Sequence, residues 1–140
     1  VRFHNEVRRV LKPEGVLAVW TYGLPRINAA VDACVDEFHG PIVGIYWPPE
    51  REQVDTGYRN LPFPFPDLPV PVFVHETEWT LDQLLRHLGT WSSVTYFRAR
   101  RKADPIELIA ARLHDAWGEA DRTRRVRWPI SLRVGQKPGA

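Results

Sequence analysis

The chain has 140 residues, room for one domain, and a 44% hydrophobic content that argues against wholesale disorder. Its net charge of +2 is too small to imply a nucleic-acid or membrane partner by itself. No apolar run approaches the roughly 18 residues needed to span a bilayer, no signal peptide is visible, and a cytoplasmic location fits. The single cysteine, Cys34, excludes an intrachain disulfide and reads as a small core residue in an apolar helical pattern.

Residues 2–11 predict a helix with Phe3, Val7, Val10 and Leu11 on one face. Pro13 cannot continue it, and Gly15 supplies the turn. Residues 16–21 (VLAVWT) are a short continuous apolar run, which predicts a strand buried on both faces. Such a strand needs a preceding neighbour, and the sequence contains none. Residues 27–39 predict the next helix, with Ile27, Val31, Cys34, Val35 and Phe38 at helical spacing and Gly40 as its stop. The first forty residues therefore read helix, strand, helix, which is α/β grammar.

Residues 41–71 hold eight of the thirteen prolines and five aromatic side chains, Tyr46, Trp47, Tyr58, Phe63 and Phe65. Apart from a short helix from Pro49 to about residue 58, this is a long irregular excursion, expected to pack as a lid. Residues 72–79 predict a strand. Thr80 and Gln83 form a capping box that starts a helix through Leu84, Leu85 and Leu88, with Gly89 bending or breaking it before residues 91–98. Asp104, Pro105 and Glu107 start another helix, which runs to Trp117 and stops at Gly118. Val126, Trp128, Ile130, Leu132 and Val134 alternate with polar residues or proline and predict a final strand, with Pro129 at a start, edge or bulge. The organisation expected is 1–40 helix–strand–helix, 41–71 lid, and 72–140 strand, helical insertion and last strand.

The helix–turn–strand around Leu11-Lys12-Pro13-Glu14-Gly15 resembles the middle of class I S-adenosylmethionine-dependent methyltransferases, where the turn reads Leu-Lys-Pro-Gly-Gly. Glu14 stands where that pattern has its first glycine. Tyr46-Trp47-Pro48-Pro49-Glu50-Arg51, Gly89-Thr90-Trp91-Ser92 and Trp128-Pro129-Ile130-Ser131-Leu132-Arg133-Val134-Gly135 resemble the methyltransferase type 11 group that includes trans-aconitate methyltransferase-like proteins. The resemblance implies an α/β fold: the C-terminal half of a Rossmann-like sheet, strands five, six and seven, with a helical insertion between the last two. The last strand should run antiparallel between two others, and its pairing is expected to begin at Ile130. The start at Val1, apparently inside a helix, and the lack of any methionine are read as the mark of a fragment.

The implied activity is methyl transfer to a small-molecule acceptor, a direct displacement that needs alignment and a dry pocket. No G-x-G occurs between a strand and a helix, so no cofactor-binding residue is expected in the fragment. S-adenosylmethionine would bind the full-length protein only. Substrate-side candidates are Trp20 and Tyr22 at the end of the buried strand, Tyr46 and Trp47 before the Pro-Pro pair, and Trp91. Each could equally be a packing residue. Arg26 or Arg51 would suit a carboxylate acceptor. The five histidines show no ligand spacing, so no metal is expected. His75 is the acid–base candidate, against the ordinary reading of a structural or solvated side chain. Two other readings stand beside the enzyme. One is a non-catalytic α/β interaction module that binds a partner through its aromatic loop. The other is an anion-binding surface on the arginine clusters at 98–102 and 122–127.

Overall fold

The computed structural model describes residues 2–139. Helix α1 (Arg2–Val10) ends where Pro13 removes a donor, and the chain turns into strand β1 (Val16–Tyr22). At the turn, Glu14 adopts a left-handed φ of 63°, and a Cβ on Gly15 would sit 2.8 Å from the Lys12 carbonyl. The glycine of the related pattern thus has a physical reason, and Glu14 holds the same conformation at a cost of about 1 kcal/mol.

The remaining elements are α2 (Ala29–Glu37), α3 (Arg51–Asp55), β2 (Phe73–Trp79), α4 (Leu81–Gly89), α5 (Ser92–Arg101), α6 (Ala110–Trp117) and β3 (Arg124–Gln136). Asn28 caps α2 by accepting from the Val31 amide at 3.0 Å. Helix α2 does not stop at Gly40 as expected. It loosens at Phe38 into a π-helical turn through Ile42, because Pro41 denies the ladder a donor. The Thr80–Gln83 capping box is formed, and Gly89 ends α4. The helix expected from Asp104 starts as a 3-10 turn, Pro105–Leu108, before α6.

The strands stand in the order β1-β3-β2, with β1 and β3 antiparallel from Tyr22↔Ile130 to Val16↔Gln136. The β1–β3 ladder starts at Ile130, since Pro129 has no N–H and offers only its carbonyl, to the Gly23 amide at 2.9 Å; but Arg127 already pairs with Arg26 through bonds of 2.8 and 2.9 Å, so pairing does not wait for Ile130 as expected. The bonds at Gly15–Lys137 and Gly23–Pro129 fix the alternation along β1. The amides of Leu17, Val19 and Thr21 face β3, and those of Val16, Ala18, Trp20 and Tyr22 point to a free edge.

The chain divides into two compact units. A strand unit comprises the chain through Gly23, Glu52–Val74 and the chain from Pro129 onward; a helical unit comprises Leu24–Arg51 and His75–Trp128. The helical unit has a continuous apolar core in which Val31, Val35, Phe38, Leu84, Leu88, Ile109, Leu113 and Trp117 are fully buried. Burial of this kind is worth about 1.5–3 kcal/mol for each large side chain. In the strand unit the buried hydrophobics are Val7 and Phe65.

This corrects the expectation for β1. The strand is not buried on both faces in this chain: Val16, Ala18, Trp20 and Tyr22 share an exposed face, while Thr21 is buried and Leu17 and Val19 are half-buried. A continuous apolar run records which faces can be covered. Covering them takes elements on both sides, and these residues supply one.

Candidate functional site

In the strand unit, α1, β1 and the segment after α3 enclose an open cleft of about 620 Å³. Phe3 and His4 form one wall, and Tyr58, Leu61, Pro62 and Phe63 the other. Ala18, Val19 and Trp20 form the floor. Three consecutive strand residues cannot share one face, so the cleft follows the free edge of β1. Trp20 is 65% exposed and lines it. Tyr22, 57% exposed, lies on the same strand face but is not part of the lining.

The second wall is held by Arg133 of β3. Its guanidinium donates to the carbonyls of Tyr58 at 2.8 Å and Leu61 at 2.7 Å, and to the Asp67 carboxylate at 2.9 Å. It also stacks on the Phe63 ring at 4.5 Å. Gly57 makes the approach to β3 possible: its φ is +60°, and a Cβ there would sit 2.5 Å from the Ser131 hydroxyl.

The other sequence candidates lie in the helical unit. The Trp47 indole donates to the His39 carbonyl at 3.1 Å, and its ring meets Trp91 at 5.5 Å. The Arg51 guanidinium stands over Trp47 at 4.4 Å, a cation–π contact. Trp91 also packs edge-on to His39 at 5.8 Å and against Phe38 at 5.7 Å. Tyr46 packs edge-on against Phe97 at 5.0 Å, and its hydroxyl accepts from Arg101 Nε at 2.9 Å. The fold thus brings Trp47 and Trp91 together and sets Tyr46 beside Trp47, while Trp20 and Tyr22 belong to the strand unit. Of residues 41–71, Tyr46 and Trp47 fall in the helical unit and Tyr58, Phe63 and Phe65 in the strand unit.

His75 is exposed and stacks on Trp128 at 5.4 Å. Sequence reasoning overlooked His87 on α4. That ring is surrounded by Trp79 at 5.2 Å, Trp128 at 5.7 Å and Trp91 at 6.3 Å. Burial lowers its pKa, because indole walls cannot solvate an imidazolium. Trp128 Nε1 is buried beside it with no hydrogen-bond partner. Desolvation likewise raises the Cys34 thiol pKa, which makes it a poor nucleophile. Among the described residues no group of His, Cys, Asp or Glu could hold a metal ion, and no helix is long and apolar enough to cross a membrane.

Gly15, Gly57 and Gly135 lie against the protein itself, at Lys12, at Ser131, and at Phe63 with Pro66, whereas Gly40 has nothing within 4 Å. At the start of α2, which follows β1 in the chain, Asn28 accepts from the Val31 amide and the Asp32 carboxylate from the Ile27 amide at 2.7 Å.

No protein-family model matches the chain. It is 24% identical over 141 aligned positions to a Dictyostelium discoideum protein named "Putative methyltransferase", covering 96% of this chain and 54% of that one. It also superposes on a solved chain described as "a Putative Type II Methyltransferase from Anaeromyxobacter dehalogenans", with a TM-score of 0.90 and 48% identity. That match covers 98% of this chain and 59% of the solved one. By sequence and by fold, the chain is similar to proteins described as methyltransferases. It spans little more than half the length of the methyltransferases it matches. The order β1-β3-β2, with β3 antiparallel to β1, is the arrangement the resemblance implied for strands five, seven and six.

Proposed function

We propose that these residues form the acceptor side of an S-adenosylmethionine-dependent methyltransferase that acts on a small molecule. The observation that carries this reading is the placement of β3 between β1 and β2, in a chain that matches 59% of a methyltransferase chain at 48% identity. In this reading the cofactor is held elsewhere in the enzyme; in support, Gly15, Gly57 and Gly135 lie against the protein itself and Asn28 caps the start of α2. On the same reading each unit carries its own candidates for acceptor contact, Trp20 and Tyr22 in the strand unit and Tyr46, Trp47 and Trp91 in the helical unit, whose rings can orient an acceptor and exclude water. His75 is the candidate base for acceptors that must lose a proton, its exposed ring being free to meet one.

The test joins this chain to the part of the Anaeromyxobacter relative that it does not cover. Transfer of a radiolabelled methyl group from S-adenosylmethionine is measured on small carboxylic acids, phenols and amines. The fusion is expected to methylate an acceptor, and Trp47→Ala or Trp91→Ala to slow transfer about tenfold or more while cofactor binding persists. The chain alone is expected to give no calorimetric signal with S-adenosylmethionine. Micromolar binding by the chain alone, or a cofactor-binding fusion indifferent to both tryptophan substitutions, would overturn the proposal.

A further inference from the structure

On the helical unit, a second cleft of about 280 Å³ opens between the turn before α3 and the C-terminal half of α5. Its walls are Tyr46, Trp47, Pro48 and Pro49 from the turn, and Tyr96 and Arg100 from α5, so two of the acceptor-side candidates also face it. Tyr96 and Arg100 stand four residues apart and therefore share a helix face. Ile45 lines the rim with 87% of its surface exposed, and Tyr96 is 52% exposed.

Basic side chains gather on the α5 side of this cleft, while the exposed Glu50 follows Pro49 on the other wall. Helix α5 ends in Arg98, Arg100 and Arg101, and Lys102 caps it in the left-handed conformation. Arg98 is committed to Asp104 at 2.7 Å and Arg101 to the Tyr46 hydroxyl at 2.9 Å. Arg100 and Lys102 are exposed, and neither has an acidic partner among the described residues. Basic residues in a last turn favour the helix dipole, but Arg98 and Arg101 already serve that end. Because Tyr46 accepts from Arg101, its own hydroxyl proton remains available to an acceptor on a ligand.

We infer that this face docks a short acidic segment of a partner protein. One apolar or aromatic side chain of that segment fills the cleft, and carboxylates on either side meet Arg100 and Lys102. Two features favour a peptide over a free small anion. The charge continues along α5 from Arg100 in the cleft to Lys102 at the cap. The rim is Ile, Tyr and Pro, surface suited to burying an apolar anchor within a polar border.

The test uses the full 140-residue chain. A fluorescein-labelled peptide of alternating Asp and Glu with one central Phe is titrated by anisotropy. The same peptide with Phe replaced by Ser, a Lys version and sodium benzoate serve as comparators. Saturable binding is expected, weakened about tenfold or more by Arg100→Glu with Lys102→Glu and several-fold by Ile45→Ser or loss of the Phe. Circular dichroism confirms that these surface variants stay folded. Methyl transfer by the fused protein is expected to stay within about twofold, so failure here is separable from failure of the enzyme reading. Equal binding by the Ser peptide would reduce the face to unspecific charge attraction and overturn the proposal. Indifference to charge reversal, or competition by benzoate at its own cleft-binding concentration, would overturn it as well.

Discussion

In the helical unit, Phe38, Leu84, Leu113 and Trp117 expose no surface, and the Trp117 indole donates to the Arg122 carbonyl at 3.0 Å. In the strand unit, Trp20 and Tyr22 stand exposed on an uncharged strand with a free edge. Both units come from one sequence of ordinary hydrophobicity, so composition does not separate them. The difference is geometric. Four helices can close around each other, whereas a strand has two faces and two edges and needs a neighbour for each. The helical unit satisfies its own requirements, and the strand unit states what it lacks.

The largest expected effect breaks the self-sufficient side. Trp117→Ala removes a fully buried ring together with its hydrogen bond, and should cost about 3–5 kcal/mol in denaturant unfolding. Trp20→Ala on the exposed face should shift the same curve by less than about 0.5 kcal/mol. Equal losses would erase the distinction between the units. The next effect lies within the strand unit. Arg133→Met strands the Tyr58 and Leu61 carbonyls, and should cost about 1–3 kcal/mol. It should also speed amide exchange at Leu61 and Leu68 more than in α4, and uniform acceleration would contradict the local clamp.

How much of this was legible in the sequence depends on where each residue finds its partners. The capping box at Thr80 and Gln83 and the stop at Gly89 are local rules, and both appear in the fold, whereas pairing only from Ile130 does not hold, because Arg127 already pairs with Arg26. Trp47 and Trp91 were recognisable only as aromatics in suggestive places; their contact joins a turn to a helix start. Arg133 stands out in the sequence only as one of the polar positions that alternate along the last strand. Its partners lie 66 to 75 residues away, and no local pattern announces them. His87 was likewise hidden, because the indoles around it come from β2, β3 and the start of α5. Two-faced burial of β1 was inferred from composition alone and misses the exposed face.

Two smaller effects sharpen the comparison. His87 is neutral in the fold at pH values where an unfolded imidazole begins to take a proton, because burial lowers its pKa. Its contribution is therefore full above about pH 6.5 and is lost as pH falls through the lowered folded value. Thermal melts from pH 8 to pH 5 should show this slope, and His87→Gln should flatten it. An unchanged slope would assign the acid sensitivity to other groups. The smallest effect is Glu14→Gly, which relieves a left-handed non-glycine residue and should stabilise the chain by up to about 1 kcal/mol. Destabilisation would mean that the Glu14 side chain does something its φ does not reveal.

The proposed function rests on β1 being a strand with one neighbour among the described residues and gaining a second in the fused protein. Amide hydrogen exchange on β1 reads this directly. In the 140-residue chain, Leu17, Val19 and Thr21 should exchange slowly and Ala18, Trp20 and Tyr22 fast, following the ladder to β3. In the fusion with the relative's remaining part, the fast set should become protected. Protection of Ala18 and Trp20 in the monomeric chain alone, or their continued rapid exchange in a folded, cofactor-binding fusion, would contradict it.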